Sequence, residues 1–75
     1  MHRLGTVSRT AQGLAIVRCD DADHPDIGVE AVDESLSAVG RVVDVFGPVS
    51  RPYVAITPDD GVSLPTLVGE KLYAR

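Results

Sequence analysis

The densest group of potential metal ligands in the sequence runs from Cys19 to His24, with Asp20, Asp21 and Asp23 between them. A thiolate, an imidazole and carboxylates can all bind a metal, but a zinc site normally needs paired Cys or His residues and a second pair elsewhere. The second pair is missing, because Cys19 is the only cysteine. We therefore interpret Cys19 as a strand-end residue and the aspartates as a solvated loop, and we expect no metal site.

Two further patterns fall short of a calcium site and of a catalytic site. Asp59-Asp60-Gly61 resembles the start of a calcium loop, but the later ligands and the terminal glutamate are absent, so a turn is favoured. No serine lies in a motif that would pair it with His2 or His24 as a base, and the glycines are scattered singly instead of forming a phosphate loop. The sequence predicts neither an enzyme nor a cofactor site.

The charge balance also limits the partners that this chain can bind. Seven basic and eleven acidic residues give the 75-residue chain a net charge of −4. Binding to a phosphate backbone rewards clustered Lys and Arg, so nucleic-acid binding by the chain alone is disfavoured. Of the charged residues only one is Lys, and eight are Asp against three Glu. This composition resembles that of proteins from salt-loving archaea, and because salt screens repulsion between the carboxylates we expect molar salt to raise the melting temperature.

The cysteine count and hydropathy pattern suggest a cellular compartment. A single cysteine does not indicate an oxidising compartment, and no apolar run approaches the roughly 18 residues of a membrane helix. The first four residues lack the apolar stretch of a signal peptide. We expect a cytoplasmic protein without a membrane or small-molecule partner.

The elements that must position any site are predicted to be strands. Val, Thr, Ile and Tyr are frequent, turn formers recur, and no stretch keeps a helical apolar period. Six strands are predicted, at Leu4–Arg9, Leu14–Arg18, Glu30–Val32, Val39–Phe46, Tyr53–Thr57 and Leu72–Ala74. Residues 19–25 are predicted to form an exposed loop. We therefore expect one all-β domain over residues 1–75, a small closed six-stranded β-barrel without a helix longer than about two turns.

The most distinctive segment joins the fourth and fifth predicted strands. Strict alternation would place Val43 and Val45 on one face of the fourth strand and Val42 and Phe46 on the other, both in apolar surroundings. Gly and Pro should end this strand. The connection that follows carries rigid apolar residues where polar ones would suffice, which is typical of a protein-binding patch. In the alternative interpretation, Phe46 and Tyr53 fill the barrel.

The ordered set VDVFGPV..PYV, within residues 40–54, resembles the Gar-type subunit of H/ACA ribonucleoproteins. Further agreement comes from Pro25-Asp26-Ile27-Gly28, Val32-Asp33 and residues 67–73, so the resemblance spans about Leu4 to Tyr73. Arg41 stands where Lys is common in that family, and the Gly-Arg-rich tails of eukaryotic members are absent. That absence looks archaeal.

The resemblance implies a barrel shaped like those of translation factors that is not itself catalytic. It implies docking on a dyskerin-like pseudouridine synthase near its thumb loop, assistance with substrate loading and product release in rRNA pseudouridylation, and contact with guide RNA mainly through the complex. By the family's pattern, six residues should lie at or behind the docking surface: Phe46, Gly47, Pro48, Val49, Pro52 and Tyr53. On this interpretation Val49→Asp or Pro52→Asp should weaken docking and leave the barrel folded.

Two other functions remain open on the residues alone. A small barrel could bind single-stranded nucleic acid by itself, with aromatic side chains stacking on bases in a basic groove. The sequence has only three aromatic residues and its six arginines are dispersed, which disfavours this function. A regulatory or ligand-binding barrel, or a detached translation-factor barrel, is disfavoured only by the motif.

Overall fold

The computed structural model of the chain describes residues 2–20 and 22–75. The strands are β1 (His2–Ala11), β2 (Leu14–Cys19), β3 (Glu30–Val32), β4 (Ala38–Phe46), β5 (Tyr53–Pro58) and β6 (Lys71–Ala74). One helical turn, α1 (Leu64–Leu67), precedes β6. These strands pair antiparallel and close into a barrel in the order β1-β2-β5-β4-β3-β6. The predicted closed six-stranded all-β barrel is therefore confirmed.

Short connections between neighbouring strands follow from local sequence. Gln12 and Gly13 join β1 to β2 with φ angles of 52° and 77°, and positive φ at both positions belongs to the hairpin turn that matches strand twist. Pro65 lies in the first turn of α1, where its missing N–H leaves no helical hydrogen bond unmade. No helix among the described residues has the length and apolar character to span a membrane.

Aliphatic side chains fill the barrel. The described core consists of Leu4, Val7, Ala15, Val17, Cys19, Ala31, Val39, Val42, Val54, Ile56, Leu67, Leu72 and Ala74. The three aromatic residues, Phe46, Tyr53 and Tyr73, are not among the buried side chains. A barrel of few strands has a narrow interior that Val and Ala can fill. The alternative that Phe46 and Tyr53 fill the barrel is therefore wrong.

A bulge in β4 changes which of its residues face the core. Val42 pairs with Ile56 and Asp44 with Ala55, so Val43 is an extra residue without a partner on β5. Val42 is buried and Val43 is 40% exposed, whereas Val45 packs against the core. The predicted alternation, with Val43 beside Val45, is wrong because a bulge shifts the two-residue period by one.

The loop after β2 is less exposed than its polar composition suggests. Cys19 is the last residue of β2 and is buried, as a strand-end residue, and Pro25 is buried as well. The predicted exposed loop is therefore wrong at both of its ends. Arg3 Nε lies 2.9 Å from Asp20 Oδ2 at the surface, an arrangement that typically contributes little stability. Asp21 lies outside the described residues, and the salt dependence stays a prediction.

The connection between β3 and β4 is organised by one carboxylate. Asp33 Oδ1 accepts hydrogen bonds from the Ser35 N–H at 2.9 Å, the Ser35 hydroxyl at 2.7 Å and the Ser37 N–H at 3.0 Å. The Ser35 hydroxyl is the main cause of a pKa of Asp33 below its ordinary value, with the backbone N–H of Ser37 next. The charged carboxylate is thus favoured by folding.

We expect Asp33→Asn to lower the melting temperature at neutral pH and to have a shrinking effect as the solution is acidified. Because folding lowers the pKa of Asp33, its contribution is complete above the pKa of the unfolded chain, about 3.9 for Asp, and is lost as pH falls through the folded pKa. Thermal melts of both proteins from about pH 6 to about pH 2 provide the measurement. A difference that stays constant over this range would contradict the assignment.

Candidate functional site

A stacked aromatic pair marks one rim of the barrel. Phe46 ends β4, Tyr53 begins β5, and the two residues are partners in the β4–β5 register. Their ring centroids are 5.7 Å apart and the ring planes meet at 22°, a favourable offset stacking distance. The next partners, Val45 and Val54, pack towards the core, so the two rings lie on the outer face.

Gly47 allows the chain to leave β4 beside this pair. Its φ angle is +89°, and a Cβ built on it would lie 2.8 Å from Cδ2 of Tyr53. Any other residue would bring both backbone strain and a clash with the Tyr53 ring. Glycine at this position therefore permits the sharp bend and the stacked rings together.

The rest of the connection is held in shape by backbone hydrogen bonds. The Arg51 N–H donates to the Pro48 C=O at 3.2 Å, and the Cys19 N–H donates to the Pro52 C=O at 3.1 Å. The two proline rings fix φ on both sides of the turn, which reduces the entropy that the loop loses when it binds a partner. Val49 lies between them and is 91% exposed. The loop thus presents a large aliphatic side chain on a rigid support.

An open groove of about 250 Å³ lies beside the loop. It is lined by Ala22, His24, Val45, Phe46, Gly47, Pro48, Val49 and Pro52. Most of these side chains are apolar, and Phe46 is 38% exposed. We call this feature the apolar groove. Its rigid aliphatic and aromatic walls suit an apolar side chain of another protein.

The structure brings the six residues singled out from sequence together, in different roles. Phe46, Pro48 and Val49 are exposed, Tyr53 is half-buried, and Pro52 is buried. Pro52 therefore supports the groove from behind, and a carboxylate there would have to be desolvated inside the fold. We therefore expect Pro52→Asp to destabilise the barrel, whereas a folded barrel for Val49→Asp stays a prediction.

Sequence reasoning missed two residues of the groove, Ala22 and His24. Both follow β2, in the segment that the sequence predicts to be an exposed loop, and His24 is considered there only as a metal ligand or a base. The hydrogen bond from the Cys19 N–H to the Pro52 C=O ties the end of β2 to the β4–β5 connection, and Ala22 and His24 line the second wall of the groove. The His24 Nδ1 lies 3.1 Å from the Pro25 C=O. Nothing in the local sequence signals this long-range pairing.

The described residues offer binding surfaces more than reactive groups. Within residues 2–20 and 22–75, no group of three or more His, Cys, Asp or Glu is placed to hold a metal ion. Over the same residues the buried side chains are apolar apart from the thiol of Cys19. The rim geometry supports recognition by shape and apolar contact.

A small closed antiparallel barrel with a rigid apolar groove at one rim is a binding module. The fold matches the solved structure described as the Gar1 domain of Naf1, with a TM-score of 0.74 and 16% identity over 99% of this chain and 85% of that chain. A family model described as "Gar1/Naf1 RNA binding region" matches residues 1–75. An uncharacterized protein of Methanothermobacter thermautotrophicus is 31% identical over 97% of this chain and 82% of its own length.

The chain belongs to the Gar1/Naf1 RNA binding region family. The predicted resemblance to the Gar-type family is confirmed by this match. Membership supports a role that is associated with RNA, in H/ACA ribonucleoproteins. Members of this family are generally not catalytic.

Proposed function

We propose that this protein is a non-catalytic subunit of an H/ACA guide-RNA ribonucleoprotein. It docks on the catalytic domain of a dyskerin-like pseudouridine synthase and assists substrate loading and product release in rRNA pseudouridylation. This protein contacts guide RNA mainly indirectly, through the other components of the complex. The larger subunit carries out the isomerisation of uridine.

The observation that carries this proposal is the apolar groove with Val49 at its edge. A valine that is 91% exposed at the tip of a loop contributes almost no hydrophobic free energy to the isolated barrel. When a partner buries it, the same side chain can contribute on the order of 1.5 kcal/mol or more to the free energy of binding. The prolines and the tied loop keep the ordering cost of that burial small. Apolar, rigid and desolvatable groups of this kind form the centres of protein interfaces.

The second candidate function is direct binding of single-stranded nucleic acid. The stacked rings of Phe46 and Tyr53 on the outer face favour it, as does the description of the family, because bases stack on exposed aromatics. The net charge of −4 disfavours this function, since affinity for a nucleic-acid backbone comes largely from contacts between its phosphates and Lys or Arg side chains. We therefore favour docking on the synthase over direct binding of nucleic acid.

Reconstitution tests the two functions side by side. The synthase, its guide RNA and a target RNA in excess are assayed with and without this protein, and the protein alone is titrated with the same guide RNA. We expect stable co-purification with the synthase, a higher multiple-turnover rate, and an RNA affinity no tighter than about 10 μM for the isolated barrel at physiological salt. Tight RNA binding by the barrel alone, or no association with the synthase, would overturn the proposal.

A further inference from the structure

A second, more polar groove adjoins the apolar groove across the β4–β5 connection. It has a volume of about 490 Å³ and is lined by Thr6, Ser8, Arg18, Cys19, Asp20 and Arg51. Arg51 belongs to the same loop as Val49. Its N–H donates to the Pro48 C=O and so closes the turn that carries Val49. We call this second, more polar groove the arginine groove. The two grooves therefore share one rigid loop as their common wall.

The strand register makes the arginine groove continuous with the aromatic pair. Along one row of the outer face, Lys71 pairs with Thr6, Thr6 with Arg18, Arg18 with Tyr53, and Tyr53 with Phe46. Directly paired side chains on one face of an antiparallel sheet lie about 4.5–5.5 Å apart at Cβ. Arg18 thus flanks the stacked rings, and the row changes from cationic to aromatic within a few strands.

The two arginines of this groove have unused hydrogen-bonding capacity. Across residues 2–20 and 22–75, neither the Arg18 nor the Arg51 guanidinium takes part in an ion pair or a side-chain hydrogen bond. The nearby carboxylate of Asp20 is already engaged by Arg3 at 2.9 Å. Each guanidinium offers five N–H donors in a planar fork. In a chain with a net charge of −4, these two guanidinium groups form a local positive site that no ion pair among the described residues neutralises.

We propose that the arginine groove receives carboxylate side chains of the protein that occupies the apolar groove, so that one partner surface carries an apolar anchor beside an acidic patch. The inference rests on the proposed function, because it describes the partner of the same rim. Arg binds carboxylates through two parallel N–H···O bonds, which fixes orientation as well as charge. The arginines would then set the angle at which the apolar anchor of the partner enters the apolar groove beside Val49.

An acidic protein surface fits this groove better than an RNA backbone does. A phosphate strand brings one negative charge per nucleotide along its whole path, and it would pass the wall that carries Asp20 on a protein of net negative charge. One or two carboxylates need only the two guanidinium groups. The residues that line the neighbouring apolar groove also include no Arg or Lys to bind a phosphate, whereas they complement an aliphatic or aromatic side chain.

Charge reversal of single arginines tests this inference. Arg18→Glu and Arg51→Glu are compared with Arg9→Glu, which makes the same charge change at an exposed β1 residue that lines neither groove. Affinity for the purified synthase is measured in low salt and in molar salt. We expect about tenfold weaker binding for the first two variants in low salt, a smaller loss in molar salt, and a change within about twofold for the third. Arg18→Gln and Arg51→Gln keep the test valid if a Glu variant does not fold.

The possible outcomes separate this inference from the proposed function. If Val49→Asp weakens synthase binding and the groove variants bind like Arg9→Glu, the carboxylate contact is wrong and the docking function stands. If the wild-type protein does not bind the synthase, the docking function itself fails. If Arg18→Glu and Arg51→Glu reduce binding of guide RNA to the isolated protein and leave synthase affinity unchanged, the groove holds RNA and the inference is overturned.

Discussion

Gly5→Ala is expected to destabilise the barrel by about 3 kcal/mol, the combined cost of a strained backbone and an overpacked contact. Gly5 has a φ angle of +151°, and a Cβ at this position would lie 2.0 Å from the carbonyl oxygen of Arg18. Neither backbone can move away easily, because Gly5 pairs with Cys19 on one side and Leu72 on the other. For a domain of this size the melting temperature should fall by roughly 15 °C.

Gly61→Ala is the matched control for this substitution. Gly61 also has a positive φ angle, +84°, but a Cβ added to it would meet no atom within 4 Å apart from those of its chain neighbours. The control therefore carries backbone strain without the clash, and its melting temperature should fall by much less. Equal losses for the two variants, measured by thermal melts followed in the far ultraviolet, would show that the close approach of β1 to β2 is not the cause.

Val49→Asp is expected to weaken synthase binding at least tenfold without changing the melting temperature. The side chain is 91% exposed in the isolated barrel, so the carboxylate stays hydrated there. In the complex it would have to lose water against an apolar surface, at a cost of about 2 kcal/mol or more. Titration of the synthase with both proteins gives the affinity, and the multiple-turnover rate at subsaturating protein should fall with it.

Leu36→Asp controls for the general effect of a new carboxylate. Leu36 is 52% exposed and lies before Ala38, at the end of β4 opposite to Phe46. Its φ angle of 67° is one that Asp tolerates well. This variant should bind the synthase like the wild type. A similar loss of affinity for Leu36→Asp and Val49→Asp would mean that added charge, and not the apolar groove, accounts for the effect.

The barrel and the docking segment could be predicted because short-range patterns specify them. Turn formers divide the chain into strands, and Gly47 with Pro48 must end β4 whatever surrounds them. By contrast, the bulge at Val43 leaves no trace in the residue types, since valine fits a regular strand as well as a bulged one. Its effect on which side chains face the core becomes visible only from the pairing with β5.

The walls of both grooves depend on contacts between residues that are distant in the chain. His24 lines the same groove as Val49 because β2 and β5 are neighbours, and Arg18 and Arg51 line one groove for the same reason. The dispersed arginines gave no sign of a cluster, because the register that gathers them is a property of the closed sheet. Composition therefore gives the net charge of the chain, but it cannot show where a local positive site lies on a surface that is negative on average.

The aliphatic core also changes how spectra of this protein must be interpreted. With no tryptophan in the chain and Phe46, Tyr53 and Tyr73 all outside the buried core, aromatic signals report on the outer face. A lost near-ultraviolet dichroism signal normally indicates a molten state with fluid packing. Here the same loss would follow from unstacking Phe46 and Tyr53 over an intact interior, so methyl resonances of Ile56 and Leu72 are the better evidence of native packing.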